Sequence, residues 1–242
     1  MTVHLRDARV VVLDIEGTTT PVQFVYDVLF PYARAHVAEF LEREQRSEPC
    51  RAAVAMLSEE RAASAESEGG RASKPAGGNA AIVQFVHRLM DLDKKSRGLK
   101  MLQGLIWQDG YRSGELRGEV FDDVAPALKR WHGRGLRVYI YSSGSVLAQQ
   151  LLFRTSMAGD LTMFLDGYFD TAVGPKISAD SYRAIIEKVD VAPARALFVS
   201  DVVAELDAAS AAGFRTVLCE RGSGSGQVGA HPVIHSFAEI VG

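Results

Sequence analysis

Residues 10–20 read Val10-Val11-Val12-Leu13-Asp14-Ile15-Glu16-Gly17-Thr18-Thr19-Thr20. Four apolar residues in succession, three of them β-branched and none alternating with a polar one, describe a short strand covered on both faces. The run stops at an acid, and the glycine and threonines after it supply a turn. Four similar runs follow, at 136–141, 168–171, 197–200 and 216–218, with helix-like stretches at 124–132, 146–153, 179–188 and 204–212. Gly135 and Gly213 stand where helices need a stop. Strands that alternate with helices pair in parallel through right-handed crossovers. The chain therefore reads as an α/β protein with a doubly wound, mainly parallel, Rossmann-like sheet.

Between residues 20 and 120 the alternation lapses. Helical patterning covers 26–44, 50–63, 80–91 and 99–107, with no convincing strand among them. The expectation is a helical cap domain, 21–120, inserted after the first strand of a core domain made of 1–20 and 121–242. Residues 64–79, rich in Ser, Gly, Ala and charge, have little to bury and read as a mobile loop. Residues 222–229 read as a second one.

Composition narrows the partners. Of the 242 residues 47% are hydrophobic, enough for a buried core, and a net charge of -3 gives no general attraction to nucleic acid or anionic membrane. Cys50 and Cys219 have neither metal-type spacing nor a disulfide framework, which fits a reducing compartment. No apolar run approaches the ~20 residues of a membrane span, and none has the form of a secretory signal. The expectation is a cytoplasmic monomer that acts on a small molecule, with no nucleic-acid or membrane partner.

Ligands of open α/β sheets bind beyond the carboxyl ends of the strands. The first strand delivers Asp14 and Glu16 there, the second Ser142, Ser143, Gly144 and Ser145, and the fourth Ser200 and Asp201 with Glu205 a turn later. Lys176 follows the third strand on a Gly174-Pro175 turn. Singly, each has an ordinary reading: an acid or serine after a strand caps a helix, and a lysine is solvated. Together they place acids, hydroxyls and a cation along one rim. Asp14, Glu16 and Asp201 crowded together would repel one another unless a hard divalent cation such as Mg²⁺ joined them. Ser142 is expected to open a helix whose free N–H groups suit a phosphate oxygen, and Asp14 to attack phosphorus.

The stretch Val11-Val12-Leu13-Asp14-Ile15-Glu16-Gly17-Thr18-Thr19 resembles the first motif of the haloacid dehalogenase superfamily of phosphotransferases, and Ser142, Lys176 and Asp201 fall where its later motifs lie. Glu16 stands where most of its phosphatases carry a second aspartate. That Asp-x-Glu-Gly-Thr-Thr form resembles the enolase-phosphatases of methionine salvage, or acireductone synthases. Met90-Asp91-x-Asp93-Lys94-Lys95, Leu99-Lys100-x-Leu102-Gln103-Gly104-x-Ile106-Trp107, Gly110-Tyr111 and Gly118-x-Val120-Phe121-x-Asp123-Val124 continue the similarity, as does Tyr141-Ser142-Ser143-Gly144-Ser145.

The resemblance implies enolisation and then dephosphorylation of 2,3-diketo-5-methylthiopentyl 1-phosphate to the acireductone 1,2-dihydroxy-3-keto-5-methylthiopentene. It implies Asp14 and Glu16 as catalytic residues and Asp14, Glu16 and Asp201 as ligands of one Mg²⁺ per subunit. Ser142, Ser143 and Lys176 would hold the substrate. Spacing leaves open whether Glu16 binds the metal, takes the proton, or does both. Glu205 is placed behind Asp201, one turn away. Leu105, Ile106 and Trp107 either line the cap side of the pocket or pack helices. His36, His87 and His132 lack ligand spacing, His231 and His235 are four apart but Pro232 argues against a shared helix face and so against a metal pair, and Cys219 reads as an inert core thiol. Two alternatives remain: a general Mg²⁺-dependent phosphomonoesterase of the same superfamily, and a signalling module in which Asp14 accepts a phosphoryl group without turnover. The long helical insertion, suited to a lid over a small substrate, argues against the module.

Overall fold

The apolar run at residues 10–13 sits inside a six-stranded parallel sheet. The computed structural model describes residues 2–67, 78–94, 96–222 and 230–241. In chain order the elements are β1 (Val3–His4), β2 (Val10–Leu13), a π-helical segment Phe24–Leu29, α1 (Phe30–Glu44), α2 (Glu48–Ser67), α3 (Asn79–Asp91) and α4 (Arg97–Ser113). They continue with α5 (Val124–His132), β3 (Arg137–Tyr141), α6 (Val146–Arg154), β4 (Gly167–Phe169), α7 (Ala179–Val189) and β5 (Ala196–Ser200). The chain closes with α8 (Val203–Ala211), β6 (Arg215–Cys219), β7 (Val233–Ile234) and β8 (Ile240–Val241). It divides into two compact units, Met1–Val25 with Arg117–Gly242, and Tyr26–Leu116. The joins thus fall a few residues inside those read from the sequence.

In the first unit the sheet order is β4-β3-β2-β5-β6-β7, with every pair parallel. β2 is central: Val10 pairs in register with Arg137 on one side and Ala196 on the other. All four of its side chains are fully buried. Val10 and Val12 join Tyr182, Ile185 and Val189 of α7 and Leu206 and Ala209 of α8 in one core cluster. Alternation sends Val11 and Leu13 to the opposite face. The doubly wound order turns at β2, which puts its carboxyl end where strand order reverses, with β3 and β5 alongside.

Glycines stop the helices as the sequence suggests: Gly135 and Gly213 have φ of 73° and 90°, a region open to glycine without strain. β1, β7 and β8, two residues each, were not anticipated, because a strand that short leaves no pattern. β1 pairs with β8 in a separate two-stranded sheet.

The second unit is helical. Within it α2 packs on α4, and α1 on α3 and α4. Ser96 caps α4 by accepting from the Leu99 N–H at 2.9 Å, and Gly114, with φ of 83°, ends it. Ile106 and Trp107 are buried in this packing, the indole donating to the Leu29 carbonyl at 2.8 Å. The expected loop at 64–79 is corrected at its start, where residues 64–67 complete the last turn of α2 in an alanine-rich run that favours helix. Residues 68–77, and 223–229 of the second expected loop, lie outside the described residues. No described helix is long and apolar enough to cross a membrane.

Candidate active site

β2 ends at Asp14, which is 2% exposed. Its N–H donates to the Val199 carbonyl of β5 at 3.0 Å, so the sheet ladder fixes its backbone. The turn after it is tightly wound. The N–H groups of Thr18, Thr19 and Thr20 converge on the Ile15 carbonyl at 3.1, 2.9 and 2.9 Å, and the Gly17 N–H donates to Thr20 O at 2.8 Å. Thr19 Oγ1 donates back to the Asp14 carbonyl at 3.0 Å. Gly17 has φ of 78°, and a Cβ there would lie 2.2 Å from Asp201 Oδ2, so the Asp201 carboxylate rests against the bare glycine. Gly17→Ala is expected to lower both the melting temperature and turnover, the latter by about 10²-fold, since an ångström-scale displacement of a reacting group has that effect. Near-normal activity in that variant would detach Asp201 from the site.

Lys176 is 8% exposed, and its ammonium pairs with Asp14 Oδ1 and, at 2.6 Å, with Glu205 Oε2. Three hydroxyls hold its turn: Tyr141 Oη donates to Gly174 O at 2.9 Å, Ser181 Oγ to Pro175 O at 2.8 Å and Tyr182 Oη to Lys176 O at 2.8 Å. Glu205 also accepts from Ser200 Oγ at 3.0 Å. Glu205, placed behind the site from sequence, therefore shares the cation with Asp14.

Ser142 is fully buried and donates from Oγ to Glu16 Oε2 at 3.3 Å. One expectation is corrected here. Ser142 does not begin the helix; Ser145 caps α6, accepting from the Ala148 N–H at 3.3 Å. The Gly144 N–H is taken by Ser142 Oγ at 3.0 Å, and Ser143 is exposed. Gln149, which the sequence reading missed, pins this turn by donating to the carbonyls of Gly144 at 3.0 Å and Phe169 at 2.9 Å.

The electrostatics follow from crowding. Burial, and then the Asp14 charge, push the Glu16, Asp201 and Glu205 carboxyls above the usual carboxylate range. Burial alone would lower the Lys176 pKa, yet Asp14 and Glu205 raise it well above that of a free lysine. Four carboxyls thus crowd near one ammonium, which pairs with Asp14 and Glu205, a deficit of positive charge that a divalent cation fits. Among the described residues no three His, Cys, Asp or Glu side chains form a ready-made metal cage. One or two carboxylates with water and a substrate phosphate satisfy Mg²⁺.

Arg221 was also missed, having no pattern around it to mark it. Its guanidinium carbon lies over the rings of Phe121 and Phe237, 4.4 and 4.6 Å from their centroids. Its Nε donates to the Thr18 carbonyl at 2.9 Å and its Nη1 to Asp123 Oδ2 at 2.6 Å. Asp123 Oδ2 accepts also from Ser236 Oγ at 2.7 Å and the Phe237 N–H at 2.5 Å. Burial would raise the Asp123 pKa, but these donors outweigh it and hold it below the usual range. A depressed folded pKa gives stability above the unfolded value of ~4 that is lost as pH falls through the folded one. Urea melts should accordingly show Asp123→Asn less stable than wild type at neutral pH, with the gap closing towards pH ~2. A gap independent of pH would contradict this. His231 bonds Thr216 Oγ1 and Asp207 Oδ1, and His235 the Glu220 carbonyl. Cys219 is fully buried, its thiol pushed up to about 12 by that burial.

Comparison with known proteins adds the following. The family model of the haloacid dehalogenase-like hydrolases matches residues 8–213. A relative named enolase-phosphatase E1 from Synechococcus elongatus is 52% identical over 230 residues, 94% of this chain and 95% of that one. One of the same name from Frankia alni is 48% identical over 96% of this chain and 95% of its own. The crystal structure of the UTR4 protein from Saccharomyces cerevisiae superimposes with a TM-score of 0.76 at 30% identity, covering 95% of this chain and 98% of that one.

Proposed function

We propose a reaction from the premise that the chain belongs to the haloacid dehalogenase-like hydrolase family. It is an enolase-phosphatase of methionine salvage, which enolises 2,3-diketo-5-methylthiopentyl 1-phosphate and then removes its phosphate to give the acireductone. The phosphatase half is carried by one observation: a buried ammonium, Lys176, bound to a buried carboxylate, Asp14, at the switch point of the sheet. The substrate is supported by the relatives' shared name over nearly the full chain.

Asp14 is assigned the attack on phosphorus: its bond to phosphorus forms as the ester oxygen leaves, and water then cleaves the acyl phosphate to release inorganic phosphate and regenerate the carboxylate. Lys176, at its Oδ1, offsets the charge that gathers on the transferring oxygens. Ser142 orients Glu16. Held by Ser142 beside Asp14, with its carboxyl raised by burial and then by the Asp14 charge, Glu16 suits the role of the group that removes the proton beside the carbonyl and later protonates the leaving oxygen. Asp14 and Asp201 would hold Mg²⁺. When bound, the ion supplies Lewis-acid stabilisation of charge on the carbonyl and phosphoryl oxygens.

The test is incubation with the diketone phosphate and Mg²⁺, with enediol absorbance and free phosphate recorded separately and a panel of other phosphate esters alongside. Both signals, with the diketone preferred, are expected. Phosphate release from the panel without preference would favour a general phosphomonoesterase.

A further inference from the structure

We propose that Arg221 is a positioning residue for this reaction: through the Thr18 carbonyl it holds the turn that carries Glu16, while Asp123, Phe121 and Phe237 hold Arg221. The inference rests on the roles proposed above for Asp14 and Glu16.

The turn after β2 satisfies its own N–H groups inwardly, on Ile15 O and Thr20 O. The Thr18 carbonyl is left to be met from outside, and Arg221 Nε meets it. Glu16 and Thr20 bridge each other across Gly17. A shift at Thr18 therefore passes directly to Glu16, with the left-handed Gly17 as pivot.

An ordinary ion pair needs only one edge of a guanidinium. Here the Nε edge faces the turn while Nη1 faces Asp123, and the guanidinium carbon lies over two aromatic rings. Arg221 is only 10% exposed and Asp123 19%. The group is thus fixed in position, tilt and rotation at once. Asp123 is itself fixed by donors from Ser236 and Phe237, and the Phe121 N–H donates to the Thr19 carbonyl at 3.0 Å. Three segments remote in sequence, around 121–123, 221 and 236–237, thereby close on one turn of the site. Lysine cannot replace arginine here, since an ammonium is a point charge without a planar fork.

The experiment compares wild type, Arg221→Lys and Arg221→Ala for phosphate release from the same ester, with thermal melts and circular dichroism to normalise for folded protein. For folded Arg221→Lys, kcat is expected to fall between about 10- and 100-fold with KM close to wild type. Millimolar guanidinium should restore part of the kcat of Arg221→Ala, and methylammonium should not. An unchanged kcat in folded Arg221→Lys, or a fall no larger than the loss of folded protein, would overturn the proposal. So would a rise in KM alone, which would mean contact with substrate. Each variant is referred to wild-type turnover, so failure of the functional reading appears in the wild type and failure of this one only in the ratio.

Discussion

Asp14→Asn should abolish phosphate release, with a loss of roughly 10³-fold or more, as expected when the reacting nucleophile is removed. The substitution keeps side-chain volume and one acceptor oxygen. The backbone bond from Asp14 N–H to Val199 O does not depend on the side chain, and Lys176 retains Glu205 as partner. The fold should therefore persist, with far-UV dichroism and melting close to wild type. Folded protein without turnover is the expected pair of results. Near-normal turnover would remove Asp14 from the chemistry, and loss of the fold would mark its carboxylate as structural.

Lys176→Met should act on activity and stability together. The sequence alone suggests a cation facing a phosphate and hence a higher KM. The structure adds that this cation is buried between two carboxylates. Removing one partner of a buried ion pair costs about 3–5 kcal/mol, because it leaves uncompensated charge behind. Set against a typical domain stability of roughly 5–15 kcal/mol, that is a large fraction. Lys176 has a raised folded pKa, so its contribution is fully present below the unfolded lysine value of ~10.4 and fades only above it. Adding Glu205→Gln removes one of the stranded charges, and the double variant should regain part of the stability and none of the activity. A Lys176→Met protein that melts like wild type at neutral pH would contradict the pairing seen here.

What the sequence reveals and what it hides have separate physical causes. β2, β3, β5 and β6 announce themselves because strands buried on both faces must be continuously apolar, as Val10–Leu13 is. Asp14 and Asp201 are legible because each directly follows such a strand, and Lys176 because it sits on the Gly174-Pro175 turn after the apolar run at 168–171. Glu205 needed only the helical period from Asp201. Gln149 and Arg221 are different: Arg221 acts through a main-chain carbonyl remote in sequence, and Gln149 ties its own turn at Gly144 to Phe169 on the neighbouring strand, a link that no local spacing encodes. Asp123 lay inside a quoted motif, yet its partner a hundred residues on gave it no visible role. Ser142 shows the converse error, where a serine after a strand suggested a helix cap although the cap is Ser145, three residues later. The two-residue strands β1, β7 and β8 carry too few side chains to leave a pattern.

A crystal of the protein soaked with Mg²⁺ and tungstate, as a stand-in for the transferring phosphoryl group, tests the site most directly. The account predicts the metal on Asp14 and Asp201, and the oxyanion facing Asp14 with Lys176 beside it. An ion bound elsewhere, or an oxyanion out of reach of Asp14, would contradict it.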